Sequence, residues 1–303
     1  MVKYLDTFIS YFMTSVFVGT IGRVYLLRVD YRQYPSYPRG VIMHLTFGLI
    51  GAALGAIAIP ALIHKDYAAV TFLALAAEQF RNIRTMEREN LTNIEEIELV
   101  QRGKSYIEEI AKIFEARNYI VVLSSLTTSA LLYYFNNKYL AIFAGILVLI
   151  ILKYIMKGEK IQDIANVRIG KIWFKNTLLY VDDVVIMNVG LKEARERILK
   201  TGVAVVLEPV DENASITLSN IGQRQAIIHD AVAQVGIKKD LDEPDFTPLA
   251  RRNIDNGNVM IIFYPSIKNE KALLRAVKYA PVLESTRRSP SESGAAYKKE
   301  EAK

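Results

Sequence analysis

Five apolar stretches crowd into the first half of the chain, and their lengths limit what that half can become. About 20 helical residues cross the hydrocarbon of a bilayer, so apolar runs of roughly 18 or more are spanning candidates. Residues 5–27, 40–63 and 139–156 meet or approach that length, and the shorter runs 66–82 and 119–135 become spans once their interfacial residues are included. Whether 66–82 crosses completely is left open by its length. The mean hydropathy of +0.16 hides this pattern, because residues 157–303 carry charges throughout and read as an ordinary α/β segment. The expected organisation is a membrane domain over 1–156 of about five helices, with a cytoplasmic helical connection at 81–118. A cytoplasmic α/β domain over 157–285 follows, then a Ser-, Lys- and Glu-rich tail, 286–303, whose composition predicts disorder.

The start, MVKYLDTFISYFMTSVFVGTIG, carries Asp6 early and has no small-residue cleavage site before Arg23, so it reads as a retained helix rather than a signal peptide. Charge then orients the spans. Arg23, Arg28, Arg32 and Arg39 follow the first, and Arg81, Arg84, Arg88, Arg102, Lys104, Lys112 and Arg117 separate the third from the fourth. The alternate side holds only Lys3, Lys65 and Lys138. The excess of basic residues on cytoplasmic loops sets the N-terminus outside and the C-terminal domain inside. The net charge of +6 lies largely beside apolar segments, which points to membrane lipid rather than nucleic acid as a partner. Asp66 can cap the third helix, and NNK at 136–138 supplies a tight turn before the fifth.

Span two contains FGLIGAALGAIA, in which Gly48, Gly51, Gly55 and Ala58 let another helix approach closely. Packing within the chain is the first reading, and a homo-oligomer seam through Gly51 and Gly55 is the second. On the five-span topology Arg23, His44, Glu78, Arg81 and Asn118 converge on the cytoplasmic rim. Glu78 with Arg81, and Arg84 with Glu87, are spaced as helical ion pairs. Such groups form an interfacial ladder or a working site, since ionisable residues at membrane depth are costly to retain. The connection 83–118 reads as two helices broken at Gly103, the second with Ile107, Ile110 and Phe114 on one face.

In the soluble half, VRIGKIWF, VDDVVIMN, GVAVVLEP, ASITLSN and NVMIIFYP are candidate strands, and 191–200, 222–236 and 269–279 are candidate helices. Their order is compatible with a ferredoxin-like sandwich, with a three-layer arrangement as the alternative. Ser219 or Asn220 can cap a helix whose first turn holds Gly222, Gln223 and Arg224, a combination able to receive an anion. Ser219, His229 and Asp230 contain the residue types of a nucleophilic set, but adjacency on a helix makes no dyad. Asp182 and Asp183 fit a turn or strand edge better than an acid–base or metal pair.

The absence of cysteine excludes disulfides and thiol chemistry. No P-loop, HExxH, GxSxG or dinucleotide fingerprint occurs, so no cofactor or metal is identifiable. His64 is assigned to the opposite membrane side from His229, which argues against a site using all three histidines.

The segment SYIEEIAKIFEARN, preceded by AAEQFRNIRTMEREN, resembles the YIEGIA family of membrane proteins of spore-forming Firmicutes. Tyr106, Ile107, Glu108, Ile110 and Ala111 match the name motif, while Glu109 stands where the motif has glycine. The resemblance extends through GQRQAIIHDA to the charged tail. It implies an integral protein of the bacterial cytoplasmic membrane in a sporulation setting, with no reaction to carry over. Two functions are expected from these features. The first is a regulatory membrane protein that binds a cytosolic protein or small anionic ligand through Arg23, His44, Glu78, Arg81, Arg84, Glu87, Tyr106, Glu108, Gly222, Gln223 and Arg224. The second is a membrane-bound peptidase acting on a cytosolic regulatory protein, with Glu78, Ser219, His229 and Asp230 as catalytic candidates. The absent motifs leave open whether the protein is an enzyme.

Overall fold

The computed structural model describes residues 2–30, 38–96, 98–240, 243–244 and 246–288. Arg32, in the basic loop after the first helix, and residues 289–303 of the expected disordered tail lie outside the described residues. The chain forms two compact units, Met1–Asn90 with Ile110–Lys157, and Leu91–Glu109 with Gly158–Lys303.

The first unit is helical. Its elements are α1 (Val2–Asp30), α2 (Pro38–Ile63), α3 (Tyr67–Arg81), the first part of α4 (Ile83–Glu95), most of α5 (Lys104–Phe135) and α6 (Lys138–Ile155). Among the described residues three helices are long and apolar enough to cross a membrane, over Asp6–Leu27, Gly40–Ile63 and Lys138–Ile155. With 15 residues, α3 is about 22 Å long, short of the roughly 30 Å hydrocarbon thickness. The turns are chemically specified: Asp66 accepts a hydrogen bond from the Ala69 N–H at 3.0 Å. Asn136 adopts a left-handed φ of 52°, and Asn137 accepts from the N–H groups of Tyr139 and Leu140, both at 3.1 Å.

Buried hydroxyls on α5 tie it to three other helices. Ser125 Oγ shares its one proton between Ala52 O on α2 at 2.6 Å and Ser15 O on α1 at 3.0 Å. Ser129 Oγ donates to Ala56 O on α2 and Ser124 Oγ to Gly145 O on α6, each at 2.8 Å. Hydroxyls crossing between closely packed helices are a common device where apolar packing against lipid-like surroundings gives little net drive. A Cβ on Gly55 would lie 2.3 Å from Val122 O, and one on Gly51 would lie 3.1 Å from the Phe80 ring and 3.2 Å from Val122. The Gly51 and Gly55 face is therefore packed closely against α3 and α5 within the chain.

The second unit continues with α7 (Ile161–Ile164), β1 (Ala165–Gly170), β2 (Ile172–Lys175), β3 (Leu178–Val181), β4 (Val184–Asn188), α8 (Lys192–Thr201) and β5 (Val203–Pro209). Then follow α9 (Glu212–Ser219), α10 (Ile221–Val235), β6 (Lys239–Asp240), β7 (Glu243–Pro244), β8 (Leu249–Arg252), β9 (Val259–Phe263) and α11 (Glu270–Lys278). A four-stranded antiparallel sheet runs β1-β5-β9-β8, a three-stranded one runs β2-β3-β4, and β6 pairs with β7. Val203, Val205 and Leu207 of β5 face a core with α10 and α11, while Ala204 and Val206 face Leu179, Val181 and Ile186 of the smaller sheet. Burial on both faces explains why β5 and β9 are continuous apolar runs rather than alternating ones.

Several expected elements change identity. ASITLSN is not a strand but most of α9, because Asp211 accepts from the Ala214 N–H at 2.7 Å and caps a helix there. VRIGKIWF is cut at Lys171 into β1 and β2, which belong to different sheets. Thr286, the first residue of the expected disordered tail, is buried in a 3-10 turn over Glu284–Thr286.

Candidate functional site

Two buried polar arrangements stand out, one in each unit. In the first unit Arg23 is completely buried, although it lies within an apolar helix. Its Nη2 is 2.9 Å from His44 Nδ1, and its Nε donates to His44 O at 3.3 Å. Its guanidinium carbon lies 5.5 Å from the centre of the Phe114 ring, and the His44 and Phe114 rings are 4.5 Å apart. The arginine stem lies against Gly48, where a Cβ would meet Arg23 Cγ at 2.4 Å. Glu87 and Asn118 are buried too, and the Glu87 charge acts on His44. Asn118 Nδ2 donates to Phe114 O at 2.9 Å.

The expected convergence of polar residues is thus distributed differently from the sequence pattern. Arg23 and His44 come together with Glu87, whereas Glu78 and Arg81 are exposed on α3 and form no ion pair with each other among the described residues. Arg84 reaches Glu115 at 3.9 Å. The signal that marks Glu87 is its place on the α4 face of Ile83 and Leu91, both buried at four-residue spacing around it.

In the second unit the segment 91–109 is fastened to α10. Gly103 breaks the chain between α4 and α5 with a φ of +83°, a conformation favouring glycine. The Gly103 N–H donates to Glu95 Oε1 at 2.6 Å, and Arg102 pairs with Glu98 at 2.9 Å and Glu95 at 3.6 Å. This fold of the loop presents the Val100 carbonyl to His229, whose Nδ1 donates to it at 2.6 Å. Tyr106 Oη donates to Asp230 Oδ1 at 3.3 Å, Gln234 Nε2 donates to Asp230 Oδ2 at 3.2 Å, and the Tyr106 ring meets the His229 ring edge-on at 6.1 Å. Gln225 Nε2 donates to Gln101 O, and a Cβ on Gly222 would lie 2.5 Å from Ser105 Oγ. Glu108 is half-buried one turn along.

The same helix holds the segment after α11. Gln223, fully buried, donates from Nε2 to Pro281 O at 2.9 Å. Its Oε1 accepts from Leu283 N–H at 2.8 Å and Thr286 Oγ1 at 2.9 Å. Glu109 accepts from the Glu284 N–H at 3.2 Å, which gives a structural use to the residue standing at the motif's glycine.

These contacts define what the catalytic candidates do here. Ser219 Oγ donates to Ile216 O at 2.6 Å, His229 to Val100 O, and Asp230 accepts from Tyr106 and Gln234. The three are not brought into a nucleophile–base–acid chain. Burial pulls the His229 imidazole down from its ordinary range, the Val100 hydrogen bond acts upward and the Arg102 charge downward. In the first turn of α10, Gly222 and Gln223 give their N–H groups to Asn220 Oδ1 at 2.8 and 3.4 Å, so the cap itself occupies them. Arg224 Nη2 donates to Ser219 O at 3.3 Å. Asp182 accepts from the Lys171 N–H and pairs with Arg168, each at 2.7 Å, while Asp183 accepts from Asn253 at 3.2 Å. Among the described residues no group of three His, Asp or Glu could hold a metal.

Helices long enough to span a bilayer, followed by an α/β unit that binds its own helical connection, define a membrane-associated protein with an internally latched C-terminal unit. The YIEGIA protein family model matches residues 11–293, and the chain belongs to that family. Uncharacterized protein YphB of Bacillus subtilis (strain 168) is 40% identical over 289 residues, covering 95% of this chain and 97% of that one. No solved structure matches.

Proposed function

We propose that this is a non-catalytic regulatory membrane protein whose C-terminal unit binds a cytosolic protein or small anionic ligand. The observation that carries the reading is the use of His229, Asp230 and Tyr106 as a latch on segment 91–109 rather than as a reaction centre. That segment runs directly into α5, so a binding event that loosens or tightens the latch acts on a helix continuing into the membrane part. The reading includes five spans, with α3 and the apolar end of α5 added to the three longest helices, the N-terminus outside and the C-terminal unit in the cytoplasm. It also takes the soluble sheet as a permuted ferredoxin-like arrangement: β9 lies between β5 and β8, and β1 occupies the position of a strand that would follow α11. The sporulation setting follows from the family resemblance.

One observation favours a peptidase as the second reading. Arg23, His44 and Glu87 put a base, an acid and a cation in one buried cluster. Co-purification from membranes separates the two: a regulatory protein retains its partner in the Glu87→Gln variant and leaves its half-life unchanged. Stabilisation of the partner by Glu87→Gln, at equal abundance of the variant, overturns the regulatory reading.

A further inference from the structure

Arg224 and Arg252 reach the same face of α9 from two different elements. Arg224, in the first turns of α10, donates to Ser219 O at 3.3 Å, and Arg252, at the end of β8, donates from Nη2 to Ser215 Oγ at 3.1 Å. Ser215 and Ser219 are four residues apart on one helix and therefore neighbours on its surface. Both arginines are half-buried, and the Nε of each is buried without a hydrogen-bond partner among the described residues. Neither forms an ion pair there. Burial, and then the Arg252 charge, hold the Arg224 guanidinium below its ordinary range, and no carboxylate opposes them.

A guanidinium carries five N–H donors in a fixed fork, and one hydrogen bond apiece leaves most of that capacity unused. Two like charges, partly desolvated and within range of each other, are unfavourable unless an anion lies between them. Their surroundings sharpen the point. Ser215 Oγ approaches Gly257 so closely that a Cβ there would meet it at 2.3 Å, and Gly257 has a φ of +74° in the β8–β9 turn. The hydroxyl beside Arg252 is thus fixed by a turn that a side chain would obstruct.

We propose that Arg224, Arg252 and Ser215 form a binding site for a small phosphoryl-bearing anion, between α9, the start of α10 and the end of β8. The charge decides the class. Two guanidinium groups with no neutralising acid match a doubly charged oxyanion, whose three free oxygens accept from forked donors. The inference rests on the reading of the C-terminal unit as the ligand-binding part and names its ligand. Arg224 lies between Gln223, which holds residues 281–286, and Gln225, which holds Gln101. An anion drawn to Arg224 therefore acts on the turn of α10 that carries both attachments.

The test uses the full chain in nanodiscs, titrated with inorganic phosphate, pyrophosphate and succinate against chloride at constant ionic strength, and followed by calorimetry and thermal unfolding. Saturable heat and a raised unfolding midpoint are expected for phosphate and pyrophosphate, with at least tenfold weaker binding in Arg252→Gln and in Arg224→Gln. Arg252→Lys keeps the charge without the fork and falls between. Without phosphate, each Gln variant should unfold at the wild-type temperature or above it, because a repulsion has been removed. No saturable response, equal binding by the variants, or succinate bound as tightly as phosphate overturns the proposal. So does a lower midpoint in both Gln variants without phosphate, which would make the arginines structural. No phosphate binding by the wild-type chain, with the cytosolic partner still co-purifying, refutes this site and leaves the regulatory reading standing.

Discussion

Replacing Tyr106 by Phe removes one hydroxyl and keeps the ring. The edge-on contact with His229 at 6.1 Å survives, so the packing contribution is retained, and the change falls on the hydrogen bond to Asp230. Asp230 is 1% exposed, so water does not readily replace the lost donor. Leaving a buried acceptor short of a donor costs about 1–3 kcal/mol, and the long 3.3 Å bond puts this case near the lower end, at about 1–1.5 kcal/mol. That corresponds to local opening roughly five to twelve times more frequent. Tyr106→Ala would add the loss of the ring, about 3–5 kcal/mol in all. Hydrogen exchange on the full chain in nanodiscs reads this directly, because the Tyr106 and Ile107 N–H groups bond to Gly103 O at 3.0 and 3.1 Å inside the latched segment. The faster exchange should extend over residues 98–107. In an Asp230→Ala background, which removes the acceptor, the same substitution should have a much smaller effect, since contacting residues are not additive. Unchanged exchange in Tyr106→Phe, or a full effect in the Asp230→Ala background, refutes the latch.

Three further outcomes follow from the structure. His229 is held below its ordinary imidazole value, so the unfolded chain takes up a proton first as pH falls. Stability is then complete above about 6.5 and lost below it, and His229→Asn should flatten that acid loss in thermal unfolding followed across pH. Gly55→Ala forces a methyl against Val122 O and should destabilise the helical unit by about 1–3 kcal/mol, seen as reduced abundance in membranes, whereas Ala58→Gly should not crowd that contact. Reporters inserted at residue 137 and after Lys303 should lie on opposite sides of the membrane, and a cytoplasmic reporter at 137 refutes the five-span topology.

The helices and their turns were the most legible part of this sequence, because the cause of each is local. The apolar runs of α1, α2 and α6, the Asp66 and Asn137 caps and the glycine break at 103 all lie within a few residues of their effect. The α/β unit was legible in its continuous runs, β5 and β9, but not in β8, where Leu249, Arg251 and Arg252 look like a polar loop until the sheet supplies their partners. Short α9 was hidden for the opposite reason: ASITLSN has strand-like composition, and the Asp211 cap outweighs it. The candidate sites were less accessible, because their contacts are long-range. Tyr106 and Asp230 are separated by 124 positions, and nothing in either neighbourhood names the other. Arg23 and His44 could be placed at one membrane depth by counting residues, and Glu87 was singled out as the helical partner of Arg84, but its grouping with His44 shows only in its burial between Ile83 and Leu91.

The most direct measurement of the functional account is the half-life of any cytosolic protein found to co-purify with the full chain. It should be compared in cells carrying wild type, His229→Ala, Glu78→Ala and Glu87→Gln at matched abundance. Regulation by binding predicts the same half-life in all four, with capture weakened where the latch is disturbed. A partner that persists longer when Glu87 or His229 is replaced would contradict the account and make this protein a peptidase.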